Sequence, residues 1–124
     1  MKITSFNPLI VTNNGEETIS LFEALGFERQ HTNSNVDGRD ITNVTMKDPN
    51  GFKIDISNAP NIKQDLTIIR MNVDDFDEAY KFLTDRGFVN PSGKIVEMKS
   101  SKSAMMRSPS GFAFDLCHHI KDHE

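Results

Sequence analysis

Residues 48–56 read Asp-Pro-Asn-Gly-Phe-Lys-Ile-Asp-Ile, and residues 108–116 read Ser-Pro-Ser-Gly-Phe-Ala-Phe-Asp-Leu. Pro, Gly, Phe and Asp recur at the same places in both stretches, each 60 residues apart, as Pro49 and Pro109 illustrate. In each stretch a Pro-x-Gly turn leads into a predicted strand, because Pro fixes φ and Gly accepts positive φ. The chain therefore contains an internal repeat, and each copy ends in a turn followed by a strand.

Two further anchors extend the repeat toward the N-terminus. Gly26 answers Gly87 at an offset of 61, and Val11 answers Val73 at an offset of 62. Because the anchors keep their order, the sequence divides into two modules of about residues 1–60 and 61–120. A length of 124 residues predicts that both modules belong to a single domain, residues 1–124.

Each module has the hydrophobic periodicity of the order βαβββ. A helix that covers one side of a sheet is expected after the first strand of each module. The expected elements are, in chain order, strand 3–12, helix 16–25, strands at about 28–32, 40–47 and 51–57, strand 66–73, helix 75–86, and strands at about 88–91 or 94–99, 102–107 and 111–118.

Alternation along the first and last strands of each module predicts two faces of the sheet. The residues expected under the helices are Leu9, Val11, Phe52, Ile54, Ile56, Met71, Val73, Phe112, Phe114 and Leu116. The opposite face is predicted to line a small-molecule cleft, because it combines apolar walls with a few polar groups. The residues predicted to line this cleft are Phe6, Pro8, Ile10, Lys53, Asp55, Ile68, Arg70, Asn72, Asp115 and Cys117.

Composition limits the classes of protein to consider. The formal net charge of −4 argues against a nucleic-acid binder, which needs a basic face to neutralise phosphates. No apolar run is long enough for a transmembrane segment or a signal peptide, so we expect no membrane contact. The single cysteine, Cys117, excludes an internal disulfide and a multi-cysteine zinc site, and indicates a cytoplasmic protein.

The doubled βαβββ order, the Gly-Phe pair after each helix and the repeated Pro-x-Gly-x-x-x-Asp stretch resemble the vicinal oxygen chelate superfamily. That group includes glyoxalase I, bleomycin-resistance proteins, fosfomycin-resistance enzymes, methylmalonyl-CoA epimerase and extradiol dioxygenases. The resemblance covers essentially the whole chain. It implies an α+β fold in which tandem βαβββ modules form two curved mixed sheets around a cleft, and it implies a homodimer.

The resemblance also implies where a divalent metal would bind. In the enzymes of the superfamily, His or Gln on the first strand of a module and Glu on its last strand are the ligands. The anchors place Phe6 and Ile68 at the first-strand positions, and a slip of one residue would offer Asn7 in place of Phe6. We therefore predict no metal site; if an ion binds, Asp55 and Asp115 are its ligands.

Other candidate groups are predicted to have ordinary roles. His119 shares a predicted face with Asp115 and Cys117, but same-face residues of a strand are about 7 Å apart, too far to grip one ion together. We expect Cys117 to be a small buried thiol. The groups expected at the solvated surface are His31, His118, His119, Lys94, Lys99, Lys102 and Arg107.

Arg70 has two predicted roles that do not exclude each other. Together with Lys53 it is suited to bind a ligand carboxylate or phosphate. It is also suited to form an ion pair with Asp55 or Asp115 within the chain.

These observations favour a small-molecule-binding protein of the glyoxalase/bleomycin-resistance type without a catalytic metal or other cofactor. The alternative is a divergent lyase or isomerase of the glyoxalase I type that uses a divalent metal ion, so enzymatic activity stays open. A third possibility is a structural dimerisation module. The expected partners are a small-molecule ligand and a second copy of the chain, with no nucleic acid and no membrane.

Overall fold

The computed structural model describes residues 1–33, 41–99 and 101–119. The chain forms two compact units. The first unit is Asn7–Thr67, and the second unit is Met1–Phe6 together with the chain from Ile68 onward. In the described ranges, no helix is both long and apolar enough to span a bilayer.

The first unit contains one helix and four paired strands. Its elements are β1 (Ile3–Thr12, from Asn7 onward), α1 (Gly15–Ala24), β2 (Glu28–Asn33), β3 (Thr42–Lys47) and β4 (Lys53–Asn58). The strand order is β2-β3-β4-β1, with β4 parallel to β1 and the other pairs antiparallel. The buried core between α1 and the sheet consists of Ile19, Val44, Met46, Ile54 and Ile56.

The second unit repeats the same plan. Its elements are residues 3–6 of β1, β5 (Leu66–Val73, from Ile68 onward), α2 (Phe76–Thr84), β6 (Val96–Met98), β7 (Ser101–Arg107) and β8 (Ala113–His119). The strand order is β5-β8-β7-β6, and β5 and β8 are parallel. Its buried core consists of Met71, Val73, Phe76, Ala79, Leu83, Ala104, Met106 and Leu116. The predicted α+β class with two βαβββ modules is confirmed.

The repeated stretches form equivalent turns. Asp48 Oδ1 accepts hydrogen bonds from the backbone N–H groups of Asn50 and Phe52. At the same place in the second copy, Ser108 Oγ accepts from the N–H groups of Gly111 and Phe112. Gly111 has φ of 110°, which only glycine adopts easily.

Two residues predicted to lie under the helices are instead exposed. Phe52 and Phe112 keep 66% and 53% of their surface in contact with solvent. Both precede the first residue of their strands, β4 and β8, so they sit beyond the part of the sheet that the helices cover. The Phe112 ring contacts Phe88 and Phe114 at centroid distances of 5.8 and 5.5 Å.

The two helices begin differently. Asp75 caps α2, because its Oδ1 accepts a hydrogen bond from the Glu78 N–H at 3.0 Å. Asn14 makes no such side-chain bond at the start of α1. There the Gly15 N–H donates to Asn58 Oδ1 at 2.9 Å, so the end of β4 satisfies the first donor of the helix.

The predicted faces of β1 are wrong by one residue. In the register of β1 with β4, Leu9 lies opposite Asp55 and Ile10 lies opposite Ile56. Ile10 packs against the α1-side core, and Leu9 shares the other face with Asp55. In the second unit Arg70 lies opposite Asp115. Leu9 therefore corresponds to Arg70, 61 residues later, which is also the offset between Gly26 and Gly87. The prediction aligns Val11 with Val73 at an offset of 62, and this alignment shifts the predicted faces of β1 by one residue.

Candidate functional site

Each unit has a sheet face turned away from its helix, and each of these faces carries one aspartate. We call them the first acid face, which holds Asp55, and the second acid face, which holds Asp115. The first acid face includes Asn7, Leu9, His31, Thr45, Lys53, Asp55 and Ser57. The second acid face includes Ile68, Arg70, Asn72, Ser103, Met105, Arg107, Ala113, Asp115, Cys117 and His119.

Asp55 is held by neutral donors from its two neighbouring strands. Its side chain is buried, and Oδ2 accepts a hydrogen bond from Asn7 Nδ2 at 2.7 Å. Oδ1 accepts from Thr45 Oγ1 at 2.5 Å. Asn7 is itself oriented, because its Nδ2 also donates to the Pro8 carbonyl oxygen at 2.9 Å. This arrangement fixes the carboxylate between β1 and β3.

Asp115 is held by a cation. Its Oδ2 lies 3.0 Å from Arg70 Nε and 2.8 Å from Arg70 Nη2. The side chains of Arg70 and Asp115 are only 16% and 14% exposed. The register of β5 with β8 sets these two residues side by side, so the ion pair follows from the strand pairing. The predicted intramolecular pairing of Arg70 is confirmed with Asp115 as partner.

The rest of the second acid face is polar and partly buried. Asn72 Nδ2 donates to Ser5 Oγ at 2.6 Å. Cys117 is buried, as predicted, and lies between Asn72 on β5 and Ser103 on β7. His119 shares this face by register, as predicted. In the part of the chain that the structure describes, no three His, Cys, Asp or Glu side chains are close enough to share a metal ion.

The donor sets do not fit a transition-metal site. A divalent ion on Asp115 would face the guanidinium of Arg70 within a few ångströms, and like charges repel strongly in a partly buried setting. Asp55 already receives an amide and a hydroxyl hydrogen. His31 lies opposite Thr45 on the first acid face. Thr45 on β3 stands between His31 and Asp55 in the strand register, and one imidazole with one carboxylate is fewer than the three or four protein ligands of zinc sites.

The structure places three predicted site residues outside the acid faces. Ile10 packs against the α1-side core. Pro8 is exposed and alternates with Asn7, whose side chain points to Asp55. The Phe6 ring stands 6.4 Å from that of Phe114, which packs on the α2-side core. The other predicted residues lie on the acid faces, and their contact with a ligand stays a prediction.

Sequence reasoning missed Thr45 and placed Asn7 at the site only through a slip of one residue. The signal available for Asn7 was the offset of 61 between Gly26 and Gly87. Applied to β1 and β5, the same offset aligns Asn7, and not Phe6, with Ile68. Thr45 had no signal in the sequence, since its position depends on the register of β3 with β4.

Two of the cationic residues predicted at the surface, Lys102 and Arg107, lie on opposite sides of the second unit's sheet. Lys102 faces α2, where its Nζ lies 3.0 Å from Asp77 Oδ1 and 5.2 Å from the centre of the Phe76 ring. The hydrogen bond to Asp77 raises the pKa of the Lys102 ammonium. Arg107 lies on the other side, in the row next to Asp115.

A pocket of about 410 Å³ lies in the first unit, away from the acid face. Its walls include Gly15, Arg29, Thr32, Thr42 and Asn58, on the α1 side of the sheet. Neither Asp55 nor its partners line it. Arg29 at its edge is paired with Glu16 and Glu23.

Comparison with solved structures places this fold among known ones. The chain matches methylmalonyl-CoA epimerase with a TM-score of 0.66 and 13% identity, over 93% of this chain and 94% of that chain. It matches a glyoxalase/bleomycin resistance protein/dioxygenase superfamily member from Vibrio splendidus with a TM-score of 0.62 and 17% identity, over 96% and 100% of the two chains. It matches glyoxalase I from Zea mays with a TM-score of 0.68 and 14% identity.

The last of these matches covers 95% of this chain and 44% of the maize chain, so the protein spans less than half the length of that enzyme. No protein-family model and no curated protein sequence matches this chain. The chain has the vicinal oxygen chelate fold, as the resemblance implied.

Proposed function

We propose that the chain is a small-molecule-binding protein of the glyoxalase/bleomycin-resistance type that works without a catalytic metal. One observation carries the proposal: both repeat aspartates are already engaged by side chains of their own unit. Asn7 and Thr45 hold Asp55, and Arg70 holds Asp115. Binding a ligand needs shape, donors and charge, whereas metal catalysis needs ligands that are available to the ion.

The polar groups of the second acid face supply what a binding site needs. Arg70 is a fixed, mostly buried cation, and Asn72 and Ser5 are oriented by the hydrogen bond between them. Ile68 and Met105 add apolar surface in neighbouring rows. A site of this kind orients a ligand through a few placed polar groups while apolar contacts provide most of the affinity.

A divalent-metal-dependent lyase or isomerase is the second candidate. It is favoured by the adjacency of Asn7 and Asp55, two oxygen-bearing side chains on the first and last strands of one unit. For that role the Asn7 amide would have to turn its oxygen toward the ion and release Asp55. The experiment below separates the two candidates.

Elemental analysis tests the proposal. The untagged protein is measured as purified, and again after incubation with Zn²⁺, Ni²⁺, Mn²⁺ and Fe²⁺ salts followed by desalting. We expect well below one metal equivalent in each case. Near-stoichiometric retention that is lost in Asp55→Ala/Asp115→Ala but kept in the control Asp85→Ala, an exposed acid at the end of α2, would establish the metal-dependent alternative.

The homodimer that the family resemblance implies is tested separately. Sedimentation velocity over a hundredfold range of protein concentration should give about twice the mass of the 14.0 kDa chain. A constant monomer mass would remove the second copy from the proposed partners and leave the binding role untouched.

A further inference from the structure

We propose that the second acid face recognises an oxyanion of its ligand, a carboxylate or a phosphate group, through Arg70 and Arg107. The inference rests on the proposed binding function and names the chemical class of the ligand. It assigns a ligand-binding role to Arg107 as well, a residue expected from the sequence only at the solvated surface.

The charge of this face differs from that of the chain. The protein carries a formal charge of −4. On the described strands of the second unit, the second acid face carries three charged side chains from Ile68 to Cys117. They are the cations Arg70 and Arg107 and the acid Asp115. Glu97 and Lys102, which pair across β6 and β7, belong to the α2 side. A locally positive face on an acidic protein attracts anions.

Arg107 differs from the other arginines in the ranges that the structure describes. Arg29 pairs with Glu16 and Glu23, and Arg70 pairs with Asp115. Arg86 donates to the Phe82 carbonyl oxygen and covers the Phe82 ring. The Arg107 side chain is exposed, and no carboxylate among the described residues forms an ion pair with it.

The strand register brings the two arginines within reach of one ligand. β8 lies between β5 and β7, so the Cα atoms of Arg70 and Arg107 are two strands apart and shifted by two residues along the sheet. Standard sheet spacings make that distance about 12 Å. An arginine side chain spans roughly half of the distance between the two Cα atoms, so one ligand can reach both side chains. A planar guanidinium donates two parallel hydrogen bonds to an oxyanion.

Asp115 acts as a positioning residue in this arrangement. Both of its described contacts with Arg70 use the single oxygen Oδ2, which holds the guanidinium by Nε and Nη2. Met105 lies opposite Asp115 on β7 and is 37% exposed, so an apolar surface separates the two cations. The ligand expected here is an organic anion with an apolar body.

Nuclear magnetic resonance on the full chain tests the proposal without knowledge of the natural ligand. The probes are benzoate, phenyl phosphate and the neutral isostere benzamide, titrated at low ionic strength while the arginine Nε–H signals are followed. We expect benzoate or phenyl phosphate to shift the signals of both Arg70 and Arg107, and benzamide to shift neither. The stronger of the two anions identifies the oxyanion as carboxylate or phosphate.

Variants make the test specific. Arg107→Gln alters an exposed side chain and should weaken anion binding about threefold to tenfold, while Arg29→Gln, an arginine of the other unit, should leave it unchanged. Arg70→Lys keeps a charge but loses the planar fork, and should weaken binding further. Circular dichroism and the melting temperature confirm that each variant is folded.

Three results would overturn the inference: benzamide binding as tightly as the anions, equal losses in Arg107→Gln and Arg29→Gln, or no shift of either arginine at millimolar probe. None of these results would contradict the proposed metal-free binding function. That function fails instead on metal retention, which the anion titration does not measure.

Discussion

Asp55 and Asp115 occupy the same place in two copies of one repeat, and their surroundings differ. Asp55 accepts hydrogen bonds from an amide and a hydroxyl, which are neutral groups on β1 and β3. Asp115 accepts both of its described contacts from one guanidinium on β5. The residue facing Asp55 at the position of Arg70 is Leu9, which cannot donate.

The difference shows how a repeat keeps a fold while changing its chemistry. The turn, the strand and the acid are shared by both copies, so they belong to the scaffold. The residue opposite the acid is not shared: it is Leu9 in one copy and Arg70 in the other, and of these two only Arg70 can form an ion pair with its acid. The partner of Asp115 is therefore a cation, whereas an amide and a hydroxyl donate to Asp55.

The largest loss of stability is expected when the ion pair between Arg70 and Asp115 is broken. Arg70→Met removes the cation and leaves Asp115 mostly buried, which should lower the free energy of unfolding by about 3 kcal/mol. Urea denaturation followed by circular dichroism measures it. The double variant Arg70→Met/Asp115→Leu should regain most of the loss, because neither charge is then left in the interior. A single variant that costs less than about 1 kcal/mol would show that the pair is solvated.

A smaller effect is expected at the neutral network. Thr45→Val keeps the shape of the side chain and removes the hydroxyl that donates to Asp55 Oδ1, so it should cost about 1.5–3 kcal/mol of unfolding free energy. The matched control Thr45→Ser keeps the hydroxyl and should lose clearly less. If serine and valine cost the same, then packing and not the hydrogen bond holds Thr45 in place.

The starts of the two helices offer a third comparison. A Cβ added at Gly15 would lie 2.7 Å from Asn58 Oδ1 and 2.8 Å from Asn58 Cβ, so Gly15→Ala should cost about 1–2 kcal/mol by overpacking. Thermal unfolding measures the cost of Gly15→Ala in the wild-type chain and in an Asn58→Gly background, because Asn58→Gly alone removes the acceptor of the Gly15 N–H. In the Asn58→Gly background, Gly15→Ala should lose most of its penalty. Failure to do so would mean that Asn58 is not the obstacle.

The smallest effects are expected at the caps. Asp75→Ala removes a side-chain cap and should cost about 1 kcal/mol, whereas Asn14→Ala removes no such bond and should be nearly neutral. The same urea titration compares them. Equal losses would contradict the difference between the two helix starts.

The sequence was sufficient for the fold because the repeat is visible in identical Pro, Gly, Phe and Asp residues. Both helices and the sequence of elements βαβββ along each module follow from hydrophobic periodicity. The faces of β1 did not follow, because a strand alternates with a period of two and a slip of one residue exchanges its faces. Val11 and Val73 match by residue type at an offset of 62. The pairings of β1 with β4 and of β5 with β8 instead relate the two strands by an offset of 61.

The site was predictable only in part. Asp55, Asp115 and Arg70 stood out as charged residues at strand positions. Their partners depend on which strands are neighbours, and a parallel pair such as β5 and β8 is far apart in sequence. Thr45 and Asn7 are polar residues of ordinary type, and only the register of β3 and β1 with β4 brings them to Asp55.

The proposed function requires that Asp55 and Asp115, which side chains of their own units engage, bind no metal. The most direct measurement follows the carboxyl ¹³C signals of all aspartates while substoichiometric Mn²⁺ is added, since a bound paramagnetic ion broadens the signals of its ligands. We expect the exposed acids to broaden slightly and uniformly, and the signals of Asp55 and Asp115 to stay sharp. Selective loss of these two signals at the lowest Mn²⁺ ratio would contradict the account.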